Sequence, residues 1–183
     1  MFTYLTRPRY GAAMADLPDP MLRQQMEEAM LIFDALTGIK PLPNPNHPVL
    51  GMWEGYEFAL GIYAMMGNLE WTFKRGYADH KYMMFFHKAI KDMQGDDPEF
   101  TYLAPPWLRD PAVILSHRSN LQRRGAPTVW KNCPKNWPYI WPQLDESEAG
   151  YRLWISKADK SRILEGSRAR PDSATLERIV NWP

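Results

Sequence analysis

Cysteine is almost absent from this chain of 183 residues: Cys133 stands alone, so no disulfide forms within it. That pattern fits a reducing compartment, and a cytoplasmic protein is expected. Long apolar runs are missing too. No stretch reaches the roughly 18 residues that span a bilayer, and no apolar segment follows Arg7 and Arg9 as a signal peptide would require, so no membrane partner is expected. Alternating apolar and polar residues are scarce, and no β-hairpin signal stands out. The four histidines and one cysteine show no paired ligand spacing. A phosphate-cradling glycine loop and a nucleophile elbow are both lacking. The expectation is therefore no metal and no cofactor.

Apolar residues make up 45% of the chain, enough for a real core, while 17 prolines punctuate it without forming a low-complexity tract. The length suits one domain with an appended tail. Net charge is only +1 but unevenly placed. Residues 1–15 hold Arg7 and Arg9 and no acid; residues 111–141 hold Arg118, Arg123, Arg124, Lys131 and Lys135 and no acid. Between them, residues 16–110 carry 8 basic and 14 acidic residues. Two basic segments on an acidic body either make one polyanion-binding face, if the fold joins them, or are solvated clusters.

Apolar periodicity predicts a first strong helix opening at "LPDP", with Asp19 as N-cap, Pro20 in the first turn and Gly38 as stop. A second starts at Asn46 or Pro48 and runs to Arg75, with Gly51, Gly55, Gly61 and Gly67 inside it, which weaken its continuity and allow close packing of a neighbour. A third spans Asp79 to Gln94 and a fourth Asp110 to Arg124. The segment "APTVWKNCPKNWPYIWP" is irregular because its prolines forbid a regular helix. From Gln143 the chain reads as a polar appendage with two short helices, one ending near Gly166 and one from Ser173 to Asn181. The class is all-α.

Two adjacent glutamates stand in the first helix. With Leu22 at the centre of the buried face, Ala29, Phe33, Leu36 and Met26 fall within roughly 40° of it. Glu27 falls about 140° away, beside Arg23 and Asp34, where a solvated i,i+4 pair with Arg23 is expected. Glu28 falls about 120° away on the other side, next to Met21, Gln25 and Ile32. A carboxylate on that shoulder is partly withdrawn from water, a setting suited to acid–base work, although position alone does not make it catalytic.

Several segments in order, "LPDPMLRQQMEEAM", "HPVLGMWEGYEFAL", "FKRGY", "SHRSNL" and "WPYIWP", resemble the pyrimidine-dimer DNA glycosylase family of endonuclease V-like enzymes, and most closely its bacterial and phage relatives. The resemblance covers roughly residues 1–142 and leaves 143–183 as the appendage. It implies a compact all-α domain, a monomer, that binds double-stranded DNA, extrudes a nucleotide and cuts the glycosidic bond of a damaged or modified pyrimidine. It also implies an enzyme associated with the nucleoid, or with a host cytoplasm if phage-encoded. Matching the first-helix pattern puts the catalytic glutamate on Glu28, assisting an unprotonated amine that attacks sugar C1′, with AP-lyase activity by β-elimination. In the family that amine is the α-amine of a threonine freed by methionine removal. Here Phe2 is too bulky for that removal, so the Met1 amine takes the role, or Glu28 activates water instead. The chain also departs in its DNA contacts, because Arg23 is the sole basic residue along the first helix.

The remaining candidates for DNA or substrate contact are Arg7, Arg9, Arg23, Gln25, His47, His117, Arg118, Trp137 and Trp141. His47 either caps the second helix or faces a phosphate. His117 and Arg118 are one residue apart and so point about 100° apart; Arg118, Arg123 and Arg124 suit phosphate contacts. Trp137 and Trp141, interleaved with Lys131 and Lys135, either stack on an exposed base or tack an extended segment to the core. Two rival functions stay open: the same fold acting on a free nucleoside, nucleotide or hypermodified phage base, and a non-catalytic DNA-binding protein.

Overall fold

A computed structural model of the chain describes residues 1–78, 81–97, 101–126, 130, 133–134, 137–145, 150–155 and 179–181. Among these, the helices are α1 (Tyr10–Ala15), α2 (Asp19–Leu36), α3 (Pro48–Trp53), α4 (Glu57–Leu69), α5 (Lys81–Gln94) and α6 (Pro111–Arg123), and the strands are β1 (Trp141–Leu144), β2 (Tyr151–Ile155) and β3 (Ile179–Asn181). The fold is mainly helical, as the periodicity predicted. None of the described helices is long and apolar enough to cross a membrane.

α2 buries Leu22, Gln25, Met26, Ala29, Ile32 and Phe33 against α4 and α5. Its N-cap is Pro18 rather than the expected Asp19. Asp19 lies in the first turn, where the exposed end of the helix dipole favours an acid, and its carboxylate accepts from Arg75 Nη1 at 2.6 Å and from the Tyr77 hydroxyl. The expected second helix is broken in two. Gly55 takes φ +77°, a left-handed conformation that ends α3 and that glycine adopts without a steric penalty. Beyond α4, one π-type turn over Glu70–Lys74 places the buried Glu70 against Lys74 and Arg75. Close packing at the glycines is present as well: a methyl on Gly61 would lie 3.1 Å from Ile90 of α5, and one on Gly67 would lie 3.3 Å from Met26 of α2.

The sheet corrects the sequence reading. β1 pairs antiparallel with β2, Trp141 opposite Trp154, and β2 pairs parallel with β3 in the order β1-β2-β3. The hairpin was hidden because Pro142 sits inside β1, a position open to proline only because β1 is an edge strand. Residues 179–181, expected at the end of a helix, form β3 instead, since tertiary pairing with β2 overrides a weak helical pattern. The helix expected to end near Gly166 lies outside the described residues. β1 crosses the expected boundary between Pro142 and Gln143 and packs on α3, and β2 sends Leu153 and Ile155 into the same core as the helices.

Candidate active site

The first six residues form no helix or strand, yet Thr3, Tyr4, Leu5 and Thr6 are buried. Buried backbone without secondary structure must find side-chain partners, and this stretch finds them on α2, α4, α6 and the segment just before β1, while α3 reaches the Thr3 side chain. Gln25 Nε2 of α2 donates to the Phe2 carbonyl at 2.6 Å, and Gln25 Oε1 accepts the Tyr4 N–H at 2.9 Å. The Tyr63 hydroxyl of α4 accepts the same Tyr4 N–H and donates to Gln25 Oε1 at 2.6 Å. Tyr139, just before β1, accepts the Thr3 N–H at 3.2 Å and donates to the Thr3 carbonyl at 2.6 Å. Trp53 Nε1 of α3 donates to Thr3 Oγ1 at 3.1 Å. His117 Nδ1 of α6 accepts the Leu5 N–H at 2.9 Å, and Arg118 Nε donates to the Thr6 carbonyl at 2.8 Å. Burial raises the Tyr63 and Tyr139 hydroxyls well above the usual phenol range and keeps them as donors.

This clasp delivers the chain start to one carboxylate. Glu28 Oε2 accepts the Phe2 N–H at 2.8 Å, and Gln25 Nε2 lies 3.4 Å from the same oxygen. Glu28 Oε1 accepts from Gln24 Nε2 at 2.7 Å. The half-buried Glu28 thus sits on the shoulder of α2 where the helical wheel put it, oriented by two glutamines and next to the first residue. Glu27 faces away, 3.4 Å from Arg23 Nε in the expected exposed i,i+4 pair. Phe2 packs edge-on to Tyr139, with ring centroids 4.7 Å apart, stacks at 6.3 Å on Trp141, and lies under the Arg124 guanidinium at 5.0 Å.

His47 joins the same neighbourhood. Its Nδ1 accepts the Val49 N–H at 3.1 Å, capping α3 as one sequence reading expected, and its ring meets Trp141 edge-on at 6.2 Å. With Nδ1 accepting, the proton of the neutral ring is on Nε2. Burial pushes His47 below its ordinary value, the positive charge of the chain start pushes the same way, and the Glu28 carboxylate opposes them. His47 therefore feels the charges of both the chain start and Glu28.

The two basic segments do meet. Arg118 holds Thr6, Arg124 Nη1 donates to the Tyr4 hydroxyl at 3.1 Å, and the charge of Arg7 acts on Arg118. Yet several of these cations are engaged within the chain. Arg7 makes a two-pronged pair with Asp16 at 2.7 and 2.9 Å. Arg118 is half-buried, with its guanidinium 5.3 Å from the centre of the Trp130 ring. Arg9 is exposed, lacks an ion-pair partner among the described residues, and lines a cleft with Tyr102 and Arg109.

Three expectations need correction. His117 was a candidate for DNA contact but is fully buried, Nδ1 serving Leu5 and Nε2 donating to the Ile140 carbonyl at 3.1 Å. Its ring stacks on Tyr139 at 4.5 Å, and burial pushes its pKa down to about 4, so it is a neutral strut. Trp137 and Trp141 are buried in the core, 7% and 8% exposed, and so tack the segment down rather than offering a free stacking face. Lys131 and Lys135 lie outside the described residues. Gln25 is buried and clamps the chain start, leaving no amide edge on the surface. Sequence reasoning missed Gln24 and Tyr63. The only available signal was polar residues recurring on apolar helix faces. No family model, no curated protein and no solved structure matches the chain.

Proposed function

We propose that the protein is a DNA glycosylase that removes a damaged or modified pyrimidine from duplex DNA, with AP-lyase activity through a covalent imine. The observation that carries this reading is the meeting of Glu28 with the chain start. Because Glu28 Oε2 holds the Phe2 N–H, the Met1 α-nitrogen, one residue earlier, lies within about 7 Å of the carboxylate by backbone dimensions. With Met1 as the first residue of the working enzyme, a nucleophile and a general acid–base share one substrate position.

In this mechanism Glu28 takes a proton from the Met1 ammonium. The freed amine attacks C1′ of the extruded nucleotide, the N–C1′ bond forms, and the glycosidic bond breaks with its electron pair leaving on the base. The carboxylate stabilises positive charge on the sugar and passes its proton to the ring oxygen as the sugar opens to the imine. Water then hydrolyses the imine and restores the amine, or β-elimination breaks the 3′ C–O bond. Gln24 and Gln25 hold the carboxylate in place by their amide donors. The partner is double-stranded DNA, and the exposed Arg9 and Arg124 suit contacts to its phosphates.

The test is base release from duplexes carrying a cyclobutane thymine dimer, an oxidised pyrimidine or an abasic site. Glu28→Gln lowers kcat by about 100-fold or more, the range for loss of a general acid–base. Glu27→Gln, which removes only a surface pair, stays within about twofold. Equal effects of the two substitutions, or no release from any duplex by the unaltered protein, overturn the reading.

A further inference from the structure

Beside the reacting groups, the loop before α3, α3 itself and β1 enclose a cleft of about 540 Å³ lined by Asn46, His47, Leu50, Gly51, Glu54 and Gln143. Its size falls within the roughly 300–1,000 Å³ of small-ligand sites. It adjoins the chain start through a continuous set of contacts: His47 meets Trp141, Trp141 stacks on Phe2, and Phe2 N–H bonds Glu28. Trp141 also carries an indole N–H that is buried and without a partner among the described residues.

The lining decides what fits. It contains no arginine or lysine and one carboxylate, Glu54, which disfavours a phosphate and favours an uncharged polar edge. Gln143 Nε2 donates to the Pro48 carbonyl at 3.3 Å, which fixes the amide and leaves Oε1 as an acceptor. Glu54, exposed at the cleft, offers only acceptors while ionised. His47 Nε2 and the Asn46 amide supply donors. Gln143 reaches its position only because residue 51 is glycine: a methyl there would lie 2.6 Å from Gln143 Nε2.

We propose that this cleft receives the extruded base, and that Gln143 and Glu54 select a cytosine-type edge, whose exocyclic amine donates, over a thymine-type edge that presents a carbonyl there. Asn46 and His47 then meet the carbonyl and ring-nitrogen acceptors of that base. This inference rests on the glycosylase reading.

The test compares release of 5-hydroxycytosine and 5-hydroxyuracil from otherwise identical duplexes, since the two bases differ only along one edge, 4-amino with a bare N3 against 4-oxo with an N3–H. A duplex with a thymine dimer and one with an abasic site run in parallel. The unaltered protein favours 5-hydroxycytosine by about tenfold or more in kcat/KM, a size set by unpaired polar groups in a site built for hydrogen bonding. Glu54→Gln and Gly51→Ala, the latter driving the Gln143 amide aside, each reduce that preference about fivefold or more. Gln143→Leu replaces Gly51→Ala if the latter fails to fold by circular dichroism. Equal use of the two bases, or a preference that none of these substitutions changes, overturns the pocket assignment while the glycosylase reading stands. Cutting of the dimer or abasic duplex with neither oxidised base released does the same. No cutting of any duplex overturns both.

Discussion

His117 keeps both ring nitrogens inside the protein, one on the Leu5 N–H and one on the Ile140 carbonyl. Burial holds its pKa at about 4 against an ordinary 6.5. A histidine with a depressed folded value binds fewer protons than the unfolded chain between those two values. Its contribution to stability is therefore complete above pH 6.5 and is lost as pH falls from 6.5 towards 4, by roughly 3 kcal/mol in all. Urea unfolding at pH 7, 6, 5 and 4 reads this loss directly. His117→Gln flattens that slope while lowering stability at pH 7. A slope identical in both proteins contradicts the buried-strut role. At this scale the sequence was informative about Glu28, because one helical period is enough to tell the shoulder of α2 from its solvent face. It was silent about His117, because the partner of its Nδ1 is 112 residues away, and only the folded chain brings Leu5 to it.

At the scale of elements, the candidate site depends on where α3 ends. Gly55, at φ +77°, turns the chain so that α3 packs on β1 while α4 packs on α2. Gly55→Ala forces a side chain into the left-handed region at a cost of about 1–2 kcal/mol, and for a chain of this length Tm falls by about 2–4 °C per kcal/mol. Thermal unfolding followed by far-ultraviolet circular dichroism checks it, and an unchanged Tm contradicts the assigned turn. The existence of α2, α5 and α6 was readable from period and proline placement, since all carry clear apolar stripes, whereas the six-residue α1 was too short to show a period and was not foreseen. The strands were not readable. β1 is four residues with a proline inside, and β3 exists only through its pairing with Leu153, Trp154 and Ile155. Nor could periodicity foresee that residues 1–6 would cross the core as an irregular strap, because each of their backbone bonds is made by a side chain from elsewhere.

For the whole molecule, the strap is what joins the two basic segments and the Glu28 shoulder of α2. Arg118 and Arg124 grip Thr6 and Tyr4, Gln25 and Tyr63 grip Phe2 and Tyr4, and Glu28 receives the end. Composition indicated two cationic stretches but not that Arg7 would be taken up by Asp16 or Arg118 by a carbonyl. The central claim is that the amine at the chain start and Glu28 act on one sugar carbon. Borohydride reduction during the reaction with a lesion-bearing duplex, followed by digestion and mass spectrometry, tests it most directly. The account predicts a stable adduct of the deoxyribose fragment on the α-nitrogen of the peptide beginning at Met1, absent from Glu28→Gln. Base release with no adduct, or an adduct on a lysine elsewhere in the chain, would contradict it.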